Sequence, residues 1–329
     1  MFSIRYVVDL PWNINIIDWL LQNRTDILTN IFLFFTFLGD SLGYIIVVIT
    51  IYWLYDKKVA IKVTFALILS LIFNQILKNI IQNPRPYVNE NTYDENWAIS
   101  ENDIEETAHS FSTPSGHAQG SMTFWHYFHK QINSKITRIF TPIIIFLIGF
   151  SRPYLGVHYL EDIILGWIIG YIIVIIIGKY EITIASKWDN ANVLYVRVLS
   201  IIVPILFILT LGFTSGFETK NSTIVTLAGV FSGLVISITL EQKLVNFNPA
   251  LSSISLTKRI LNYIMRLALG FAVLSIPLFG LDTLFSSLVD DNSILGFLFR
   301  WLRYSIVTFF GIIVVPILFI KLGLSDQSK

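Results

Sequence analysis

Three short polar clusters interrupt an otherwise apolar chain of 329 residues. The first runs from Lys78 to Pro86 (KNIIQNPRP), the second from Pro114 to His117 (PSGH) and the third from Ser151 to Asp162 (SRPYLGVHYLED). Together they gather Lys78, Arg85, His117, Arg152, His158 and Asp162, that is, three fixed cations and two imidazoles with a single carboxylate. Such a set suits an anion, most simply a phosphate. The planar guanidinium fork binds two phosphate oxygens at once, and lysine adds a compact point charge. Phosphoryl transfer in turn needs the charge on the equatorial oxygens neutralised. Taken singly, each cation reads as an interfacial side chain reaching for headgroups. Three of them at the edges of apolar runs, joined by two imidazoles and a carboxylate, point to a site.

The spacing within the clusters adds detail. Ser115 and Gly116 open a helix, so their backbone N–H groups and the positive end of the helix dipole face outward, which favours an anion. A Thr-Pro-Ser-Gly run is also an ordinary helix start, and His117 in the first turn is what lifts it above that. His158 and Asp162 stand four apart at the start of an apolar helix and therefore share a face. A carboxylate on one ring nitrogen fixes the tautomer and leaves the other nitrogen its lone pair, as a nucleophilic histidine requires. An i,i+4 His–Asp pair is by itself more often a helix-surface contact.

The elements that must position these groups are membrane helices. The chain is 54% hydrophobic and 15% aromatic, with a mean hydropathy of +0.67, which excludes an ordinary soluble protein. Its apolar runs recur at close to the ~20 residues that cross a bilayer. The expected fold is all-α, a polytopic bundle of about nine transmembrane helices: residues 25–55, 59–79, 115–131, 136–150, 158–178, 196–213, 223–240, 260–285 and 295–320. The first of these is interrupted by Gly39-Asp40-Ser41 and reads as one long kinked helix or two short ones. Residues 9–24 carry Trp12 and Trp19 among charged groups and suit a helix lying in the interface. Residues 87–113 form a polar loop with seven acidic residues and no Lys or Arg. Three segments follow: an N-terminal interfacial one (1–24), a core holding all three clusters (25–182) and a C-terminal extension of four spans (183–329).

Net charge is +1, with no basic patch to suggest nucleic acid, and the absence of cysteine excludes disulfides, thiolate nucleophiles and Cys-ligated metals. Threading nine spans puts Lys57, Lys58, Lys130, Lys135, Arg138, Lys179, Lys187, Lys243, Lys258, Arg259 and Lys321 on one side, which the positive-inside rule makes the cytoplasm. All three clusters then emerge on the opposite face. The N-terminus lacks the pattern of a cleaved signal peptide. The Ile, Asn and Phe bias suggests a prokaryotic cytoplasmic membrane.

A lysine, six residues, then Arg-Pro; Pro-Ser-Gly-His; Ser-Arg, five residues, His, three residues, Asp: this series, in order and without a mismatch, resembles the signature of the type 2 phosphatidic acid phosphatase superfamily. That superfamily also holds vanadium haloperoxidases, glucose-6-phosphatase and polyprenyl-diphosphate phosphatases. The resemblance covers roughly residues 25–180, and the nine-span layout is similar to that of glucose-6-phosphatase. It implies a phosphatase in which His158 attacks phosphorus, Asp162 orients it, and His117 protonates the leaving oxygen and then activates water. Lys78, Arg85, Arg152 and the Ser115 and Gly116 backbone would hold the phosphate, with no metal and no cofactor. The implied partners are a phosphorylated lipid and the bilayer. The expected reaction is metal-independent hydrolysis of a lipid-linked phosphate or diphosphate, of the phosphatidic acid or polyprenyl diphosphate type, at the extracytoplasmic face. A soluble sugar phosphate, transfer to a lipid acceptor and, last, a phosphate-binding transporter are the alternatives.

Overall fold

The structure, a computed structural model, describes residues 11–88, 110–217, 221–251 and 255–327. The start of the N-terminal segment, most of the acidic loop and His109 lie outside the described residues. The described chain is almost wholly helical. Helices α1 (Pro11–Gln22), α2 (Asp26–Gly39), α3 (Ser41–Leu54) and α4 (Lys57–Ile81) precede the acidic loop. After it come α5 (Gly116–Ile132), α6 (Lys135–Tyr154), α7 (Leu160–Asp189), α8 (Val193–Ser215), α9 (Ser222–Leu244), α10 (Leu256–Leu288), α11 (Ile294–Phe309) and α12 (Val315–Lys321), the last two joined by a five-residue π-helical segment. Two-residue strands, β1 (Phe247–Asn248) and β2 (Asp326–Gln327), pair antiparallel.

Among the described residues seven helices are long and apolar enough to cross a membrane, or eight if α2 and α3, bent by 67° at their junction, count as one span. The ninth segment expected from sequence is α5, which at 17 residues falls short. Its polarity has a reason. Gln119, Ser121 and Thr123 are fully buried, and α5 meets α4 along a polar seam. Gln119 Nε2 donates to Ser70 O at 2.7 Å, Asn74 Nδ2 donates to Gln119 Oε1 at 2.9 Å, and the Ser70 and Thr123 hydroxyls lie 2.8 Å apart. Hydrogen bonds of this kind hold helices together where lipid removes the hydrophobic drive for association.

The chain divides into two compact units, residues 1–47 with 63–181, and residues 48–62 with 182–329. In the first, small residues bring α5 and α7 together. A Cβ on Gly166 would lie 2.8 Å from Ser115 O, and one on Gly170 would lie 2.7 Å from Gln119 O. Both obstacles are backbone, so only glycine allows the approach. Helix α1, expected at the membrane interface, packs on the turn after α6: Ile17 and Leu21 lie against Tyr159, and Leu20 belongs to a cluster with Tyr154, Leu155 and Val157. Phe32 of α2 meets Phe150 and Tyr154 of α6.

In the second unit, Gly229 and Gly233 bring α9 against α11, where a Cβ would lie 2.5 Å from Trp301 O and Ser305 O respectively. Glu241 is buried and pairs with Lys57 Nζ at 3.0 Å while accepting the Phe247 N–H at 2.7 Å. Fully buried Arg266 donates to the carbonyls of Leu324, Trp53 and Pro249 and so fastens three separate segments. The π-helical segment creates its own need. Val315 N–H is drawn to Phe310 O, and residue 316 is a proline without an N–H, so Gly311 O loses both helical donors. The Trp53 indole supplies the missing one at 2.8 Å.

Trp53→Phe keeps most of the packing and removes that donor. A buried unsatisfied carbonyl costs about 1–3 kcal/mol, so thermal unfolding in detergent is expected at a lower temperature than for the wild type. Gly170→Val, which drives a branched side chain into the Gln119 backbone, is expected to destabilise by about 1–3 kcal/mol in the same measurement.

Candidate active site

Helix ends of the first unit bring the three clusters together. Lys78 sits in the last turn of α4 and Arg85 just beyond it. Ser115 caps α5, Arg152 lies in the last turn of α6, His158 in the turn that follows, and Asp162 in the first turn of α7. All six are buried. His117 keeps 16% of its side chain exposed.

His158 has two differently engaged nitrogens. Nδ1 lies 3.2 Å from Asp162 Oδ2 and 3.2 Å from Ser112 Oγ, whereas Nε2 lies 3.1 Å from Arg85 Nη1. A guanidinium only donates, so the neutral ring accepts at Nε2 and carries its proton on Nδ1, toward the carboxylate. Nε2 therefore holds an available lone pair. Burial, reinforced by Arg85, Lys78 and Arg152, pushes the His158 imidazole well below its ordinary range and keeps it neutral. Arg85 is brought down to about 10 by burial and by Arg152, yet stays cationic at neutral pH.

Asp162 is held from several sides. Oδ2 accepts from Ser112 Oγ at 2.5 Å and from the Tyr159 N–H at 2.9 Å, and Oδ1 accepts from Thr113 Oγ1. The cations are held mainly by carbonyls. Lys78 Nζ donates to Phe111 O at 2.6 Å. Arg85 donates through Nε to Ser110 O at 2.8 Å, through Nη1 to Val157 O at 2.9 Å and through Nη2 to Ser110 Oγ at 2.7 Å. Arg152 Nη1 donates to Thr36 Oγ1 of α2. With neutral oxygens as their main partners, the three cations keep a net positive field for an incoming anion.

One expected contact is already engaged: the Ser115 N–H donates to Asp162 O at 3.0 Å, and the Ser115 hydroxyl accepts from Ala118 N at 3.4 Å. Ser115 thus ties the start of α5 to the start of α7. Within the PSGH cluster, Gly116 stands at the first helical position, the start of α5. Asn74 lies 3.3 Å from where a Gly116 Cβ would stand, so this approach is open only to glycine or a slightly shifted neighbour. Asn74 bonds across to Pro114 O and Gln119.

Four further residues join the site without having been singled out in sequence: Thr36, Asp40, Ser112 and Thr113. Asp40 Oδ1 stands 2.7 Å from His117 Nε2. An ionisable residue within an apolar run was its available signal. Ser112 and Thr113 carried none, because short hydroxyl residues before a proline are common in loops. His126 lies against the Tyr171 ring and His129 Nδ1 bonds Thr137 Oγ1 at 2.8 Å. Among the described residues no group of three or more His, Cys, Asp or Glu side chains could hold a metal ion.

Residues 59–184 match the PAP2 superfamily, and residues 225–327 match the transmembrane extension of PAP2 superfamily phosphatases. The chain is similar to the crystal structure of the first transmembrane PAP2 type phosphatidylglycerolphosphate phosphatase from Bacillus subtilis, at 22% identity and a TM-score of 0.41, over 53% of this chain and 86% of that one. It is similar also to Aquifex aeolicus LpxE, at 22% identity and a TM-score of 0.41, over 54% of this chain and 100% of that one. No curated protein matches it in sequence. With the superfamily's domain and its transmembrane extension in one chain of apolar helices, the protein belongs to the PAP2 superfamily and is an integral-membrane phosphatase.

Proposed function

We propose that this protein hydrolyses a lipid-linked phosphate or diphosphate through a phosphohistidine on His158, at the extracytoplasmic face of a prokaryotic membrane. The observation that carries the reading is the His158 ring, with Nδ1 on Asp162 and the Nε2 lone pair turned toward Arg85. Lys78, Arg85 and Arg152 would neutralise the phosphate oxygens, with the Gly116 amide at the α5 N-terminus adding a donor. As substrate arrives, Arg85 exchanges its contact with Nε2 for one with a phosphate oxygen, which aims phosphorus at the nitrogen.

The Nε2 pair then forms an N–P bond as the P–O bond to the lipid breaks, and the departing oxygen takes a proton from His117. In the second half His117 accepts a proton from water. The water oxygen bonds phosphorus, the N–P pair returns to Nε2, and inorganic phosphate leaves. Side-chain cations stand where other phosphatases use metal ions, so the reaction needs none. A lipid substrate is favoured over a soluble one because the site lies at the ends of apolar helices, and the positive-inside reading of the sequence supports the extracytoplasmic orientation.

Phosphate release from a panel of polyprenyl diphosphate, phosphatidic acid and sugar phosphates by the detergent-purified protein tests this. Release is expected to survive EDTA, to favour the lipids, and to fall in His158→Ala by on the order of 10⁴-fold or more, as removal of a nucleophile does. Release abolished by EDTA, or retained in the variant, would exclude the mechanism. A preference for sugar phosphates would move the substrate to the soluble class. Nitrogen-15 NMR of histidine-labelled protein, with His158→Ala for assignment, is expected to find His158 neutral and protonated on Nδ1 at pH 6, below the ordinary imidazole value of about 6.5. An imidazolium at that pH would contradict the nucleophile assignment.

A further inference from the structure

The second histidine of the site faces a carboxylate that lies outside the matched superfamily domain. Asp40 occupies the break between α2 and α3: its N–H closes α2 on Phe37 O at 3.1 Å, and its C=O opens α3 by accepting from Tyr44 N at 2.9 Å. The 67° bend there turns the Asp40 side chain to the start of α5. His117 Nε2 is buried and has no well-aligned hydrogen-bond partner, and the atom it faces is Asp40 Oδ1 at 2.7 Å. The approach is built in. A Cβ on Gly39 would lie 2.6 Å from His117 Cδ2 and 2.7 Å from Ile148 Cγ2, so the residue before Asp40 must be glycine for the ring to fit. One turn earlier on α2, Thr36 accepts from Arg152, so the same helix end supports two members of the site.

The charges around His117 explain what Asp40 is for. Arg152 from α6, Lys78 from α4 and His158 from the turn after α6 all face it, and Asp40 is the opposing carboxylate. A group that must hold a proton among cations needs a fixed anion beside it. From this geometry we infer that Asp40 is the positioning residue of His117, holding the proton on Nε2 and fixing the ring so that Nδ1 meets the leaving oxygen. The site then contains two His–Asp pairs of opposite purpose. Asp162 orients a neutral ring for attack, and Asp40 opposes the burial and the Arg152 and Lys78 charges that push the His117 imidazole down, so that it can carry a proton to the leaving group. The contact between Nε2 and Asp40 tightens once substrate is bound, as catalytic hydrogen bonds commonly do. In the proton transfer, the P–O bond breaks with its pair going to oxygen and the His117 Nδ1 proton joins that oxygen. The ring, now neutral, keeps the Nε2–H toward Asp40 and later recovers its Nδ1 proton from water.

This inference rests on the phosphohistidine reading, and the test separates the two. Asp40→Asn and Asp40→Glu are compared with wild type and His158→Ala on an alkyl phosphate, whose leaving group needs a proton, and on p-nitrophenyl phosphate, whose leaving group does not. Thermal protection by orthovanadate reports whether fold and anion site persist. Because acid–base catalysis is worth ~10²–10⁴-fold, Asp40→Asn is expected to lower kcat on the alkyl phosphate by roughly ten- to a hundredfold, with KM little changed. Release from p-nitrophenyl phosphate should change by less than about threefold, and the alkaline limb of the alkyl-phosphate pH profile should move to lower pH. Asp40→Glu is expected to restore part of the loss. Equal losses on both substrates, or no loss on either, would overturn the role of Asp40 while leaving His158 intact. Activity that survives His158→Ala would bring down the parent reading and this one with it.

Discussion

Like charges gathered among apolar helices repel one another and lose hydration, and the first unit is arranged around offsetting both costs without cancelling the field. Lys78, Arg85 and Arg152 are buried together, yet the groups that hold them are mainly neutral oxygens: the carbonyls of Phe111, Ser110 and Val157 and the Thr36 hydroxyl. Desolvating a cation is tolerable when its donors are satisfied, and ruinous when they are not. Had carboxylates met each cation, the ion pairs would be more stable and the site would have little attraction left for phosphate.

The same constraint explains the loop before α5. Residues 110–113 contribute a carbonyl to Lys78, a carbonyl and a hydroxyl to Arg85 and two hydroxyls to Asp162. A loop can turn successive carbonyls and hydroxyls to different partners, whereas a helix commits its carbonyls along its own axis. The rigid parts of the site therefore come from helix ends, and the adaptable polar shell comes from a short irregular stretch. Glycines at 166 and 170 then let the helices bearing His117 and Asp162 approach to backbone distance, and Gly39 leaves room for the His117 ring.

In the second unit burial is handled by similar means. Arg266 fastens three segments through carbonyls, Glu241 is shared between Lys57 and a backbone N–H, and Trp53 completes a π-helical segment that Pro316 leaves short of a donor. Buried polar groups of this kind fix one arrangement of helices that otherwise differ little in surface chemistry, because leaving any of them unpaired is costly.

What the residues determined by themselves was the class of fold and the members of the buried polar cluster. Apolar runs near bilayer length announce helices, and six reactive side chains at fixed spacing announce an anion site, since both signals are local and written in residue type. Asp162 beside His158 was legible for the same reason, an i,i+4 pair on one helix. Tertiary structure decided the rest. That Ser115 gives its N–H to Asp162 O, that α5 is too short and polar to pass as an ordinary span, and that Glu241 is buried against Lys57 all depend on partners distant in sequence. Asp40 illustrates the division. Its carboxylate was visible as an oddity in an apolar run, but 77 residues separate it from His117. Only a bend between two helices, with a glycine at its apex, brings the two side chains to 2.7 Å.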